Sequence, residues 1–327
     1  MESTRTEKLP PPPGIISSIQ AGFDVIAARI SVILLPLLLD LFIWLGPRLR
    51  LDRLFSPLLS EMSTAWYGSG ISAAEAAEAI QMYQETLPRI NLFWLLRTYP
   101  IGVSMLSKET ILTPLGEPLI LQVTALNLIL WLLLLTLAGW IGGGLYFRSV
   151  AGLINVADNA QPVRVLHAIL QTVMLSILWL ILSIVIVGPL IMMLTLLFQV
   201  SEFLANIAFL FLSLLSMWVI VPLFFWPHGI FLRKQNFITS IVSSVQMTRF
   251  TLPTSSMFVL TIFLLSMGLN FLWTRPSEDS WMTLVGIFGH AFVSTALLAG
   301  SFIYYRDMTA WLQNVIDRLK TNTPRQA

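Results

Sequence analysis

Four polar residues lie inside or beside long apolar stretches of the sequence: Asp40, Asn127, Asn270 and His290. Burying an ionisable group in a bilayer costs free energy, so such a residue marks a candidate ion pathway or proton relay. If the helices that carry these residues are neighbours, the four side chains form one polar cluster that faces the outer side of the membrane. The sequence therefore offers this cluster as its candidate site.

Asp40 and His290 each have a second, structural interpretation. Asp40 lies six residues before Gly46, about 9 Å from the helix end at 1.5 Å per residue. At that depth its charge could be matched by Arg48, by another arginine of the outer loop or by a helix terminus. His290 follows two glycines that permit close helix approach, so it also suits a neutral, hydrogen-bonded packing residue. Both alternatives stay open for both residues.

Small residues and prolines also mark several apolar stretches. Gly139 and Gly143 give one helix a face of the GxxxG type, which predicts tight packing inside the bundle or dimerisation. Pro36, Gly188-Pro189, Pro222 and Pro227 interrupt other stretches. Such breaks fit ordinary kinks, and they also fit the broken helices with which transporters expose backbone groups to a substrate.

Sequence motifs of enzymes, metal sites and cofactors are missing. The chain has no cysteine, and its histidines, His167, His228 and His290, show no metal-ligand spacing. It has no phosphate-binding glycine loop, no HExxH and no DxDxDG loop. We therefore expect a protein without enzymatic activity, metal or cofactor. The net charge of +2 is too small to indicate a nucleic-acid partner.

Six long apolar stretches predict the class of the protein. Hydrophobic residues make up 56% of the chain and charged residues 11%, against about 25% charged residues in a typical soluble domain. With its flanks, each stretch approaches the roughly 20 apolar residues that span a bilayer as a helix. The predicted spans are Ile30–Leu45, Leu126–Tyr146, Val173–Phe198, Phe203–Trp226, Phe258–Trp273 and Met282–Ile303. The predicted fold class is an all-α integral membrane protein with six transmembrane helices.

The spans group into three hairpins, each preceded by a segment with an amphipathic helical pattern on the cytoplasmic side. These segments are residues 15–26, Val150–Val156 with a turn at Asp158–Pro162, and residues 237–250. The predicted division of the chain is a disordered, Pro-rich N-terminus (1–14), the first amphipathic helix and span (15–47), a helical outer insertion (48–122), the remaining bundle (123–304) and a cytoplasmic amphipathic tail (305–327). The tail helix is expected to lie on the membrane surface or to dock on the protein's own cytoplasmic helices.

The outer insertion is the most individual part of the sequence. Ser72-Ala73-Ala74-Glu75 reads as a capping box, so a helix should follow and end near Leu87. The next segment, Asn91–Leu106, is too apolar for a free loop and too short to span a bilayer. We expect it to lie in the outer interface or to pack on the helix ends.

The distribution of Lys and Arg predicts the orientation. If the N-terminus is cytoplasmic, twelve of the 19 basic residues fall on the inner side, and six of the seven outer ones lie in the long insertion. Long loops count little in the positive-inside rule, so both termini are predicted to be cytoplasmic. Arg48, Arg50 and Arg53, directly outside the first span, oppose the rule locally.

The plan of surface helix plus hairpin resembles a group of bacterial six-span membrane proteins. Phe237–Arg249 leading into the fifth span, and His290–Thr295 leading to Tyr304-Tyr305-Arg306-Asp307, are the residues that carry the resemblance. The group includes the membrane domain found beside glycerophosphodiester phosphodiesterases. The resemblance implies a fold and a location in a bacterial-type cytoplasmic membrane. It carries over no catalytic residue, and the outer insertion lies outside it.

Together these patterns predict a non-catalytic scaffold, accessory or membrane-organising protein. The alternative is a small transporter or permease component that uses the kinked helices and the polar cluster, and the third reading is a lipid-modifying enzyme. The expected partners are the lipid bilayer and a protein that binds the outer insertion or the cytoplasmic helices. The transporter reading requires Asp40 and His290 to face a wet cavity, whereas the scaffold reading requires them to be paired and enclosed.

Overall fold

The computed structural model describes residues 11–68, 72–106, 113–157, 160–277 and 279–321. The first part of the chain contains short helices and the long insertion predicted at residues 48–122. Its elements are α1 (Ile15–Ala28), a 3-10 turn (Ile30–Ile33), α2 (Leu34–Leu45), β1 (Arg48–Arg50), α3 (Asp52–Gly68), α4 (Ala73–Thr86), 3-10 turns at Leu87–Arg89 and Leu92–Leu96, and β2 (Ile120–Gln122).

Long apolar helices make up the rest of the described chain. They are α5 (Ala125–Ala157), α6 (Val165–Leu182), a π-helical turn (Ser183–Val187), α7 (Gly188–Val200), α8 (Glu202–Phe225), α9 (His228–Arg233), α10 (Phe237–Trp273) and α11 (Met282–Thr321). By length and composition, five helical stretches of the described chain could cross a membrane. The count rises to six if α1 and the helix that follows it, bent by 95°, form one span. The chain is therefore predominantly helical and suited to several membrane crossings.

Helix α1 follows the predicted amphipathic pattern. It begins at Ile15 and buries Ser18, Gly22 and Ile26, which are four residues apart and share one face. A Cβ on Gly22 would collide with the carbonyl oxygen of Ala296 and the backbone of Gly300 in α11. Glycine at position 22 therefore lets α1 and α11 pack backbone to backbone.

Two predicted surface segments are continuous with a span. The expected separate segment Val150–Val156 is the end of α5, because nothing between Tyr146 and Val156 breaks the helix. Of the turn predicted at Asp158–Pro162, residues 158 and 159 lie outside the described residues, and residues 160–162 are not helical. Phe237–Phe250 likewise continues into the fifth span, with a kink at Thr251 (φ −123°, ψ 20°) two residues before Pro253. Proline removes one helical N–H donor, which explains the kink.

Helices α6 and α7 form one apolar stretch through a π-helical turn. The turn ends directly before Gly188-Pro189, where proline cannot donate to the helical ladder. The predicted span Val173–Phe198 lies inside this stretch. Helix α8 then begins after Ser201, whose hydroxyl caps it by accepting from the N–H of Leu204.

The two described strands join the ends of the outer insertion. β1 and β2 pair in parallel, with Arg48 opposite Ile120 and Arg50 opposite Gln122. The chain therefore leaves α2 and returns towards α5 at the same place. Within the insertion, α4 begins directly after Ser72, as the capping box predicts, although the side chain of Glu75 lies outside the described residues.

The described residues fall into two compact units. The first unit comprises those within Met1–Ile30, Phe147–Ser266 and Ser294–Ala327, and its core is a set of stacked aromatic rings around Phe225, Phe258 and Tyr304. The second comprises those within Ser31–Tyr146 and Met267–Val293. Its core contains Ile43, Leu49, Leu92, Phe93, Met105, Val123 and Leu135. The predicted domain boundaries follow a different division and stay a prediction.

Candidate functional site

Residues 91–106 of the outer insertion form a segment that packs into the core of the second unit; we call it the docked segment. It starts with a 3-10 turn that Asn91 caps, since the Asn91 Oδ1 accepts from the N–H of Phe93 at 3.2 Å. The same oxygen accepts from the N–H of Leu49 in β1 at 3.1 Å. The Phe93 ring meets Phe42 of α2 and Trp131 of α5 edge to face. This end of the segment is thus fixed to three elements.

The small-residue face of α5 is where the docked segment packs most closely. A Cβ on Gly139 would lie 2.6 Å from Thr98 Cγ2 and 2.8 Å from the carbonyl oxygen of Leu96. A Cβ on Gly143 would lie 2.7 Å from Gly102 Cα and 2.8 Å from the carbonyl oxygen of Ile101. The element that these two glycines admit is therefore the irregular backbone of the insertion.

The docked segment extends farther along α5 than the sequence predicts. Gly143 is 18 residues after Ala125, the first residue of α5, which corresponds to about 27 Å of helix. The sequence predicted that this segment lies at the outer interface or packs on the helix ends. In the structure it packs along α5 as far as Gly143. Irregular backbone can pack beside an apolar helix of this kind when protein encloses it and its polar groups are bonded. The Thr98 hydroxyl, for example, donates to the Ile101 carbonyl at 2.8 Å.

Asp40 is an anchor for the far end of the docked segment. Its side chain is 3% exposed, and its Oδ1 accepts from the N–H of Leu106 at 2.9 Å. Arg97 of the same segment interacts with it electrostatically. The other carboxylate oxygen is buried and has no hydrogen-bond partner among the described residues. Asp40 is thus hydrogen-bonded to the backbone of the docked segment, a partner that its position in the sequence did not suggest.

His290 holds the same part of the docked segment from α11. The ring is 8% exposed, and its Nε2 lies 3.1 Å from the Oγ of Ser104. The structure therefore brings Asp40 and His290 to residues two positions apart in the docked segment.

Asn127 and Asn270 make local interactions instead. The Asn127 Oδ1 accepts from the N–H of Thr124 at 2.8 Å and so caps the start of its own helix. The Asn270 carbonyl accepts from Thr274 near the end of α10. In the described part of the chain, no hydrogen bond joins either asparagine to Asp40 or His290.

Two hydrogen-bond partners in this site escaped the sequence prediction: the hydroxyl of Ser104 and the backbone N–H of Leu106. The site is a hydrogen-bonded lock on the docked segment, with one unpaired carboxylate oxygen that could accept a further donor or a cation. Across the residues that the structure describes, no group of three or more His, Asp or Glu side chains is placed to hold a metal ion.

A second buried histidine lies in the aromatic core of the first unit. His228 Nε2 is 2.9 Å from the Oγ of Ser301. The centroids of the Phe302 and Tyr305 rings lie 4.7 and 5.5 Å from the centroid of its own ring. Because aromatic rings surround it and Ser301 binds it, His228 is a packing residue that joins the start of α9 to α11.

Comparisons of the chain with models of protein families, with curated proteins and with solved structures gave no match. The resemblance to six-span bacterial membrane proteins therefore stays a prediction from the sequence pattern.

Proposed function

We propose that the chain is a non-catalytic, multi-span membrane protein that holds its outer insertion in a fixed position as a scaffold or accessory surface for a partner. The observation that supports this proposal is what Asp40 and His290 bind. Both are almost fully enclosed, and both bond to the docked segment of the insertion. The polar groups buried by the second unit thus serve to position the insertion.

The membrane arrangement in this proposal has six spans in three hairpins, with both termini in the cytoplasm. Five apolar helices and the bent α1–α2 pair support the number of spans. The excess of Lys and Arg in the segments assigned to the inner side supports the orientation. In this arrangement the insertion, with its strands β1 and β2, lies on the outer surface of the cytoplasmic membrane.

The access of water to Ser104 tests the scaffold reading directly. The native chain has no cysteine, so each introduced thiol is the only one. We would introduce Ser104→Cys, a change of one atom next to His290, and Glu117→Cys at an exposed position of the same insertion as the control. Both variants would be reconstituted in liposomes and labelled with a membrane-impermeant maleimide.

A scaffold with an enclosed lock predicts rapid labelling of Glu117→Cys and labelling of Ser104→Cys that is slower by at least tenfold. After unfolding in detergent, both thiols should react fully, which would show that the thiol at position 104 can react with the maleimide when it is exposed. If Ser104→Cys reacts as fast as the control in the folded protein, a water-filled path reaches Asp40 and His290, and the scaffold proposal is wrong.

One observation favours the transporter as a second candidate. The Asp40 oxygen that lacks a partner among the described residues is a buried acceptor, and non-helical backbone beside a buried carboxylate is typical of ion sites in transporters. In this reading the docked segment moves and a cation or proton reaches Asp40. Proteoliposomes loaded with a pH-sensitive dye should then show a proton flux that Asp40→Asn abolishes while the fold stays intact.

A further inference from the structure

A polar cavity of about 290 Å³ lies in the first unit, where three helices end or begin. Arg233 at the end of α9, the start of α10 around Gln246, and the last turns of α11 up to Lys320 line it. The volume is close to the lower limit of ordinary ligand pockets. It is large enough for a small headgroup, and the docked segment and its lock play no part in it.

The charges around this cavity favour an anion. Arg233 and Lys320 contribute two cations, and Asp317 contributes one carboxylate. Gln246 and Gln313 add side-chain amides, each with two N–H donors. Phosphate oxygens accept from guanidinium, ammonium and amide groups alike, so this combination suits a phosphate ester.

Arg233 is held over the cavity by an aromatic ring. Its guanidinium carbon lies 5.9 Å from the centroid of the Tyr305 ring, which is a cation–π distance. Tyr305 is itself buried, and its hydroxyl lies 3.1 Å from the Oγ of Ser243. A guanidinium stacked on a fixed ring keeps its N–H edge available for a bidentate bond to phosphate.

The position of the cavity along the helices indicates a membrane interface. Helix α11 has no charged residue from Met282 to Tyr305 and becomes charged at Arg306, so the cavity follows an apolar stretch long enough to cross a bilayer. Three apolar side chains, Met247, Leu312 and Ile316, also line the cavity. Val242 and Leu319, on the same two helices, expose apolar side chains. Acyl chains could lie against such a surface while a headgroup occupies the cavity.

We propose that this cavity binds a phosphate group, supplied by an anionic phospholipid of the adjacent leaflet or by free phosphate. Arg233 and Lys320 neutralise the phosphate, Gln246 and Gln313 donate to its oxygens, and Asp317 weakens binding by repulsion. The site is independent of the proposed scaffold role, because it uses no residue of the second unit.

The test uses the full chain purified in a neutral detergent, with native mass spectrometry to measure retained lipid. Phosphatidylglycerol and phosphatidylcholine would be titrated separately, and inorganic phosphate would be the third probe. The variants are Arg233→Gln, Lys320→Gln and their combination. Arg249→Gln is the matched control, since Arg249 is an exposed cation of α10 that does not line the cavity.

We expect the wild-type chain to retain phosphatidylglycerol in preference to phosphatidylcholine. Each removed cation should weaken this binding about fivefold, the effect of one basic residue near an anionic headgroup, and the double variant should lose it. Arg249→Gln should bind as the wild type does. Asp317→Asn should tighten binding, so the proposal also predicts a gain that misfolding cannot imitate.

Competition identifies the source of the phosphate. If inorganic phosphate displaces phosphatidylglycerol, the site recognises the phosphate itself; if inorganic phosphate binds and the lipid does not, the ligand is free phosphate. Equal retention of the two lipids without phosphate binding would overturn the proposal. So would a loss in Arg249→Gln as large as that in Arg233→Gln, or weaker binding in Asp317→Asn.

Discussion

Asp40 and His290, which are 250 residues apart in the sequence, hold two residues of one short segment. Asp40 accepts from the N–H of Leu106, and His290 bonds the hydroxyl of Ser104. Helices α2 and α11 are thereby joined through the docked segment. The stability of the insertion should depend on both contacts.

Two substitutions of Asp40 should destabilise the protein to different extents. Asp40→Asn keeps an oxygen for the N–H of Leu106 but replaces the carboxyl group with an amide, a weaker acceptor, so we expect a loss of about 1 kcal/mol in the free energy of unfolding. Asp40→Leu leaves that N–H buried without its partner, which should cost about 1–3 kcal/mol more. Thermal unfolding in detergent measures both, with Asp24→Asn at an exposed position as the control.

Equal stability of Asp40→Leu and the wild-type protein would show that the bond to Leu106 contributes nothing. A stable Asp40→Asn protein that has also lost a proton flux would favour the transporter over the scaffold.

Adjacent glycines of α5 provide a matched test of the docked segment. A Cβ on Gly142 has its nearest neighbour, Val103 Cγ2, at 4.0 Å, whereas one on Gly143 would lie 2.7 Å from Gly102 Cα. Gly142→Ala should stabilise the helix by up to about 1 kcal/mol, and Gly143→Ala should destabilise the protein by roughly 1–3 kcal/mol. The unfolding temperatures of the two variants should therefore move in opposite directions. If both rise, the segment does not pack against Gly143.

The bond between His228 and Ser301 should appear as coupling in a double-mutant cycle. Ser301→Ala removes the partner of a buried imidazole nitrogen and should cost about 1–3 kcal/mol. His228→Phe combined with Ser301→Ala should cost less than the sum of the two single changes, by at least about 0.5 kcal/mol. Chemical denaturation gives the four free energies. Ser213→Ala, on an exposed face of α8, is the control and should change little.

Reporter fusions test the proposed orientation. A reporter placed after Ala327 should be active only in its cytoplasmic form, and one inserted near Gly70 only in its exported form. This is the orientation that would place the basic residues of the short connections on the inner side. Reversed activities would show that every segment lies on the side of the membrane opposite to the one proposed.

Periodicity and length predicted the helices well, since those patterns arise from the residues of each helix alone. The start of α1 at Ile15 and the kink before Pro253 follow from local signals. The continuation of α5 through Val150–Val156 was missed. The sequence has no residue that marks where the span ends, so the end of an apolar helix was taken for a separate amphipathic segment.

The site was harder to predict, because its partners carry little sequence signal. Asp40 accepts from a backbone N–H, a group that every residue except proline has. The amino-acid sequence therefore cannot identify Leu106 as its partner. The spacing of Gly139 and Gly143 indicates close approach, but it does not distinguish another helix from an irregular segment. The glycine in Pro100-Ile101-Gly102 was the available signal, since Gly102 is the residue that meets Gly143.

The docked segment also imposes an order on biosynthesis. Residues 91–106 leave the ribosome before the glycines of α5 that they pack against, and His290 follows Ser104 by 186 residues. A nascent chain that ends before α5 has no surface on which the segment can settle. A chain that ends before α11 lacks the histidine that binds Ser104. The docked segment is thus synthesised early and fastened late, and until α11 has been made Ser104 lacks its bond to His290.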